Sequence, residues 1–101
     1  MQKIYITAIF SKVALMRYIS HLDFVRLIYR ALRRTELPYV LTCGFNQRPK
    51  IKFGAALKLG KEGIMETKFF LSKKIELEDF KNQMEKQLTE GIRIIGLNYG
   101  E

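Results

Sequence analysis

The sequence predicts an α+β fold, a ferredoxin-like βαββαβ sandwich in which one antiparallel sheet carries two helices on one face. Three observations lead there. Four segments alternate apolar and polar residues with the period of two of a half-buried strand. Two others space their apolar residues three and four apart, the period of an amphipathic helix. Along the 101 residues the order is strand, helix, strand or split strand, strand, helix, strand, which is the succession of that sandwich.

Ile4, Ile6, Ala8 and Phe10 alternate with Tyr5, Thr7 and Ser11 in the first strand. After a connection through Lys12–Tyr18, Ser20-His21-Leu22-Asp23 reads as a helix start, a serine followed three residues later by a carboxylate. At 100° per residue Phe24, Val25, Ile28, Ala31 and Leu32 share one arc, and Arg26, Arg30, Arg33 and Arg34 take the opposite one. Pro38 is expected to end this helix, since a proline forbids its continuation. Tyr39–Cys43 is a short β-prone run, and Gly44–Pro49 is a loop by composition.

Ile51 and Phe53 alternate with Lys50 and Lys52, giving a strand with an apolar and a basic face. Gly60–Gly63 supplies turn material before a third strand with Met65, Thr67, Phe69 and Leu71 on one side. A second helix is expected from about Glu76 to Glu90, with Leu77, Phe80, Met84 and Leu88 inward and Gly91 at its C-terminal cap. Ile92, Ile94, Leu97 and Tyr99 form the last strand, in which the Ile94-Ile95 pair leaves two registers open.

Length allows one domain, 1–101. An apolar fraction of 48% with twelve aromatic residues is that of a globular chain. One cysteine, Cys43, permits neither a disulfide framework nor a four-ligand zinc site. It fits a reducing cytoplasm, the expected compartment. No apolar run approaches the ~18 residues of a membrane span.

Charge is the main functional signal. Residues 1–62 hold twelve Lys/Arg against three Asp/Glu, and residues 63–101 hold six against seven. The whole excess of +8 therefore lies in the first three-fifths. This asymmetry points to a polyanionic partner, nucleic acid first. Arg26, Arg30, Arg33 and Arg34 form either a phosphate-binding stripe or a solvated helix surface. Arg48, Lys50, Lys52, Lys58 and Lys61 nearby favour the first, as does arginine's bidentate fit to phosphate.

The loop Gly44–Lys50 is the second candidate. Phe45 would stack on a base, Asn46 and Gln47 would read base edges, and Arg48 and Lys50 would hold phosphates. The alternative is a turn in which Gly44 takes a positive φ, Phe45 tucks into the core and Asn46 caps the bend. The consensus of the RNA-recognition motif is absent, so the sequence does not establish the sheet as an RNA platform.

His21 is the only histidine. Ser20 and Asp23 beside it are explained by capping, and a buried, hydrogen-bonded histidine is the ordinary reading at the first turn. Catalysis is accordingly the weaker reading, and no metal or cofactor is expected. Gly91 to Gly96 lacks the Lys-Ser/Thr of a phosphate-binding loop. Cys43 reads as a small strand residue.

The segment Tyr18–Phe53 carries a resemblance. Ser20-His21-Leu22-Asp23, Arg30-Ala31-Leu32-Arg33-Arg34, Pro38, Gly44-Phe45-Asn46 and Pro49-Lys50-Ile51, with Leu57, Leu59, Gly60 and Glu66 beyond, resemble a bacterial domain of unknown function linked to radical-SAM proteins. The likeness is specific over roughly residues 10–70. Gln47 and Arg48 stand where that family has Pro-His, so a function of the loop histidine is not expected here. The family domain usually runs longer, which implies a short member or a fragment. The radical-SAM cluster motif CxxxCxxC is missing, so the chain is not itself such an enzyme.

The leading expectation is a non-catalytic RNA-binding module, with structured or transfer RNA as ligand. Arg26, Arg30, Arg33, Arg34, Phe45, Asn46, Arg48, Lys50 and Lys52 would be its binding residues. The alternative is a protein-interaction module that docks on a radical-SAM enzyme or a ribonuclease. A ferredoxin-like endoribonuclease comes third, weakened by having one histidine.

Overall fold

The alternating and helical segments take up the predicted order in the computed structural model, which describes residues 4–13, 16, 18–59 and 62–100, of which 55–59, 62 and 63 by backbone alone. The elements are β1 (Ile4–Lys12), α1 (His21–Arg33), β2 (Ile51–Leu59), β3 (Glu62–Leu71), α2 (Leu77–Gln87) and β4 (Ile92–Tyr99). Four antiparallel strands run in the order β2-β3-β1-β4. The α1 crossover takes the chain from β1 to the edge strand β2, antiparallel pairing with β2 sets β3 beside β1, and the α2 crossover places β4 on the other side of β1, the ferredoxin-like layout. Of the turn expected at Gly60–Gly63, Gly60 and Lys61 lie outside the described residues, and Glu62 and Gly63 already belong to β3.

Alternation sets which face of the sheet is covered. Ile6, Ala8 and Phe10 of β1 face Phe69, Thr67 and Met65 of β3, and all six are buried. Against them α1 buries Phe24, Ile28, Ala31 and Leu32, and α2 buries Phe80 and Met84. Phe10 meets Phe24 and Phe69 edge-on at 5.9 and 6.0 Å between ring centres, and Phe80 meets Phe69 at 5.1 Å. Edge-to-face contact at such separations adds ~0.5–1.5 kcal/mol per pair to the burial of the rings. Glu36 N–H donates to Gln83 Oε1 at 2.9 Å and ties the end of α1 to α2.

The two registers left open at Ile94-Ile95 are resolved by a β-bulge. Ile94 pairs with Phe10 and Gly96 with Ile9, leaving Ile95 unopposed and exposed. One extra residue in a strand shifts its alternation by one. So Ile92 and Ile94 before the bulge, and Leu97 after it, share the core side. Tyr99 follows on the same side, and its hydroxyl donates to Ile75 O at 2.7 Å.

Several local expectations are corrected. Helix α1 stops at Arg33, well before Pro38: Thr35 Oγ1 donates to Leu32 O at 2.7 Å and closes the last turn. Helix α2 ends at Gln87, so Gly91 is not its immediate cap. It still needs glycine, with φ +95° and a would-be Cβ only 2.6 Å from Met16 Cγ. Tyr39–Cys43 forms no full strand but two isolated bridges, Tyr39 to Leu71 and Leu41 to Pro49. Cys43 falls in the turn beyond them and is exposed. His21 is exposed too, edge-on to Phe53 at 6.2 Å. Helical side chains lean toward the N-terminus, so a residue in the first position overhangs the helix end rather than the core.

Two stability results are expected. Ser20 Oγ accepts from Asp23 N–H at 3.0 Å, so Ser20→Ala should cost ~0.5–2 kcal/mol in a denaturant melt. Thr67 is fully buried and its hydroxyl has no hydrogen-bond partner among the described residues. Thr67→Val should therefore raise stability by about 1 kcal/mol, because an unpaired buried hydroxyl is replaced by a methyl of similar shape.

Candidate nucleic-acid interface

Along α1 and its cap, residues 26, 29, 30, 33 and 34 are linked by separations of three and four (26 to 29 and 30, 29 to 33, 30 to 33 and 34), so these side chains stack along one helical face. The chain after α1 returns along the sheet edge as a small hairpin. Thr42 N–H donates to Arg48 O at 2.8 Å, Arg48 N–H to Thr42 Oγ1 at 3.2 Å, and Lys50 N–H to Val40 O at 2.7 Å. This closure brings Arg48 back beside the helix. Arg26, Tyr29, Arg30, Arg33, Arg34 and Arg48 then line one open cleft of about 460 Å³.

Tyr29 is the floor of the cleft. Its ring rests on Phe53 of β2 at 5.8 Å, which fixes it to the core. The guanidinium carbons of Arg33 and Arg48 lie 5.9 and 5.8 Å from its centre, within cation–π range. Counting charges along the sequence did not single out Tyr29; the signal was its place between Arg26 and Arg33 on the same face.

The electrostatics are one-sided. All five arginines are exposed, and the only ion pair among the described residues joins Arg26 to Asp23 at 4.0 Å. Arg26 with Arg30, and Arg30 with Arg34, are like charges four apart, each costing ~0.2–0.5 kcal/mol in an isolated helix. The helix dipole favours Arg30 and Arg33 in the last turn. It does nothing for Arg26 in the second turn or for Arg48 on another segment. An anion in the cleft would relieve the repulsion of all five.

The remaining predicted residues fall elsewhere. Phe45 stands at the hairpin tip with its ring wholly in solvent, at 106% relative exposure, and not in the core. The reason is the neighbouring Thr42–Arg48 closure, which turns the tip outward, with Gly44 at φ +121°. Asn46 and Gln47 are exposed beside it. Arg48 and Lys50 flank the buried Pro49 and part company there. Arg48 goes to Tyr29 on the helix side, whereas Lys50 lies over the Phe70 ring on the other face of the sheet, 4.9 Å from its centre. Lys52 follows Lys50 to that face, opposite Lys68. Lys61 and the Lys58 side chain lie outside the described residues.

No curated protein and no solved structure matches the chain. Residues 6–100, which hold the sheet except for Ile4 and Tyr5 of β1, together with both helices and the arginine cleft, match the family described as uncharacterized protein conserved in bacteria (DUF2344), and the chain belongs to that family.

Proposed function

We propose that this domain binds RNA without chemical turnover, and that the arginine cleft is its phosphate-binding site. The observation that carries this reading is five exposed guanidiniums gathered from a helix and a separate hairpin around one tyrosine, with a single long ion pair among them. Guanidinium forks hold phosphate oxygens bidentately, and contacts of this type position a nucleic acid without reading its sequence. Structured RNA, transfer RNA included, suits such a cleft because its folded backbone presents several phosphates at once. The exposed Phe45 ring, with Asn46 and Gln47, would add contact to unpaired bases nearby.

Cross-linking the chain in cells and sequencing the attached RNA tests the reading. Recovery of RNA that disappears with Arg30→Ala and Arg34→Ala supports it; recovery no greater than from a charge-matched unrelated protein contradicts it. His21→Gln should leave RNA affinity within a few-fold, because the exposed His21 touches Phe53 and not the cleft. RNA cleavage by the wild type that this substitution removes would instead favour a nuclease.

A second reading follows the resemblance to domains linked to radical-SAM proteins. Leu22 is 56% exposed and stands one turn before Arg26 on the same helical stripe. An apolar residue continuing a basic stripe suits docking on an acidic protein surface, such as that of a radical-SAM or RNA-processing partner.

A further inference from the structure

Both helices pack on one side of the sheet, and the other side carries its own constellation. On the two central strands, Tyr5 of β1 and Phe70 of β3 are direct cross-strand neighbours, with ring centres 5.3 Å apart and planes tilted by 45°. Both are only partly buried. Lys50 Nζ lies 4.9 Å from the centre of the Phe70 ring and Lys68 Nζ 5.3 Å from that of Tyr5. Lys52 stands directly opposite Lys68 across β2 and β3.

None of these lysines has an ion-pair partner among the described residues. Like charges placed directly opposite in a sheet are destabilising, so folding alone gives no reason for the Lys52–Lys68 pair. An anion between them does. The Tyr5 ring is also held in place from one side: a Cβ on Gly100 would lie 1.7 Å from Tyr5 Cε2, so the bare backbone there lies against that ring. Aromatic rings on the central strands, bordered by cations from β3 and from the edge at β2, are the arrangement by which a four-stranded sheet stacks unpaired bases. The cations now over the ring faces would move onto the phosphates of the stacked nucleotides.

We propose that the helix-free face of the sheet is a second RNA site, in which Tyr5 and Phe70 stack two adjacent unpaired bases while Lys50, Lys52 and Lys68 hold their phosphates. It rests on the reading that the domain binds RNA, and it is separate from the arginine cleft. The parting of Arg48 and Lys50 at Pro49 puts the two sites on either side of the sheet edge formed by β2, so one RNA would pass from one to the other around that edge.

The test uses single-stranded oligonucleotides of eight uridines, one set carrying 5-iodouridine for photo-cross-linking. Cross-links are expected on Tyr5 and Phe70. Phe70→Leu should weaken oligonucleotide binding roughly tenfold, the effect of one lost stacking contact. Lys52→Gln with Lys68→Gln removes no core contact and should flatten the dependence of log K on log salt by about 1.4, for two phosphates on a single strand. Neither change should alter the effect of Arg30→Ala with Arg34→Ala. Cross-links confined to α1 and the Phe45 hairpin, with full affinity in the lysine variant, overturn the sheet site and leave the cleft standing. A wild-type chain that binds no RNA overturns both. Self-association of the wild type that Phe70→Leu abolishes, with oligonucleotide affinity unchanged, assigns the face to a second copy and likewise overturns the site.

Discussion

Replacing Arg30 and Arg34 together by alanine is expected to weaken RNA binding about a hundredfold, and equally for unrelated sequences. Both side chains line the cleft, and neither takes part in an ion pair among the described residues. Their removal therefore leaves no buried carboxylate unpaired and should not unfold the domain. Each charge-assisted hydrogen bond lost is worth ~1.5–3 kcal/mol, so two lost contacts at the lower end reach about 3 kcal/mol. Uniformity across sequences is the sharper half of the expectation, because phosphates repeat and carry no sequence. Filter binding with several unrelated RNAs, backed by a melt to establish folding, reads both. Wild-type affinity in the folded double variant would make the stripe a solvated surface and promote the protein-docking reading.

Phe45→Ala is expected to reduce affinity for single-stranded RNA by about tenfold or more and to leave duplex binding unchanged. A ring wholly in solvent at a hairpin tip contributes nothing to the core, so stability should stay within ~0.5 kcal/mol. Stacking of an unpaired base on such a ring is worth ~1–3 kcal/mol, and paired bases offer no free face to it. Parallel titrations with a single strand and its duplex separate the two. Equal losses on both would mean that Phe45 shapes the hairpin rather than touching bases.

Much of the fold was legible because strand and helix periods are local. The alternation at Ile4–Phe10 and Met65–Leu71, and the spacing of Phe24, Ile28 and Leu32, are set by geometry within each element. What was not legible depends on pairing between distant segments. Two isoleucines in a row cannot reveal that the bulge falls at Ile95, since that depends on which residue Ile9 and Phe10 oppose. The arginines of α1 were legible as a stripe, yet the cleft needed Arg48 from a hairpin closed by Thr42. Tyr29 was overlooked because it carries no charge, although it lies at the border of the arginine arc. The Tyr5–Phe70 pair joins residues far apart in the sequence, and only the register of β1 with β3 brings them together. Lys50 and Lys52 were read as one surface with the arginines, whereas strand alternation sends them to the opposite face.

The central claim is that the arginine cleft binds the backbone of RNA, and the salt dependence of wild-type affinity tests it most directly. Five phosphate contacts release enough counterions to make log K fall with log salt at a slope of about −3.5 to −4.5. That slope should become shallower by about 1.5 in the Arg30→Ala, Arg34→Ala variant. A wild-type slope flatter than about −1, or a slope that the double substitution leaves unchanged, would contradict the claim.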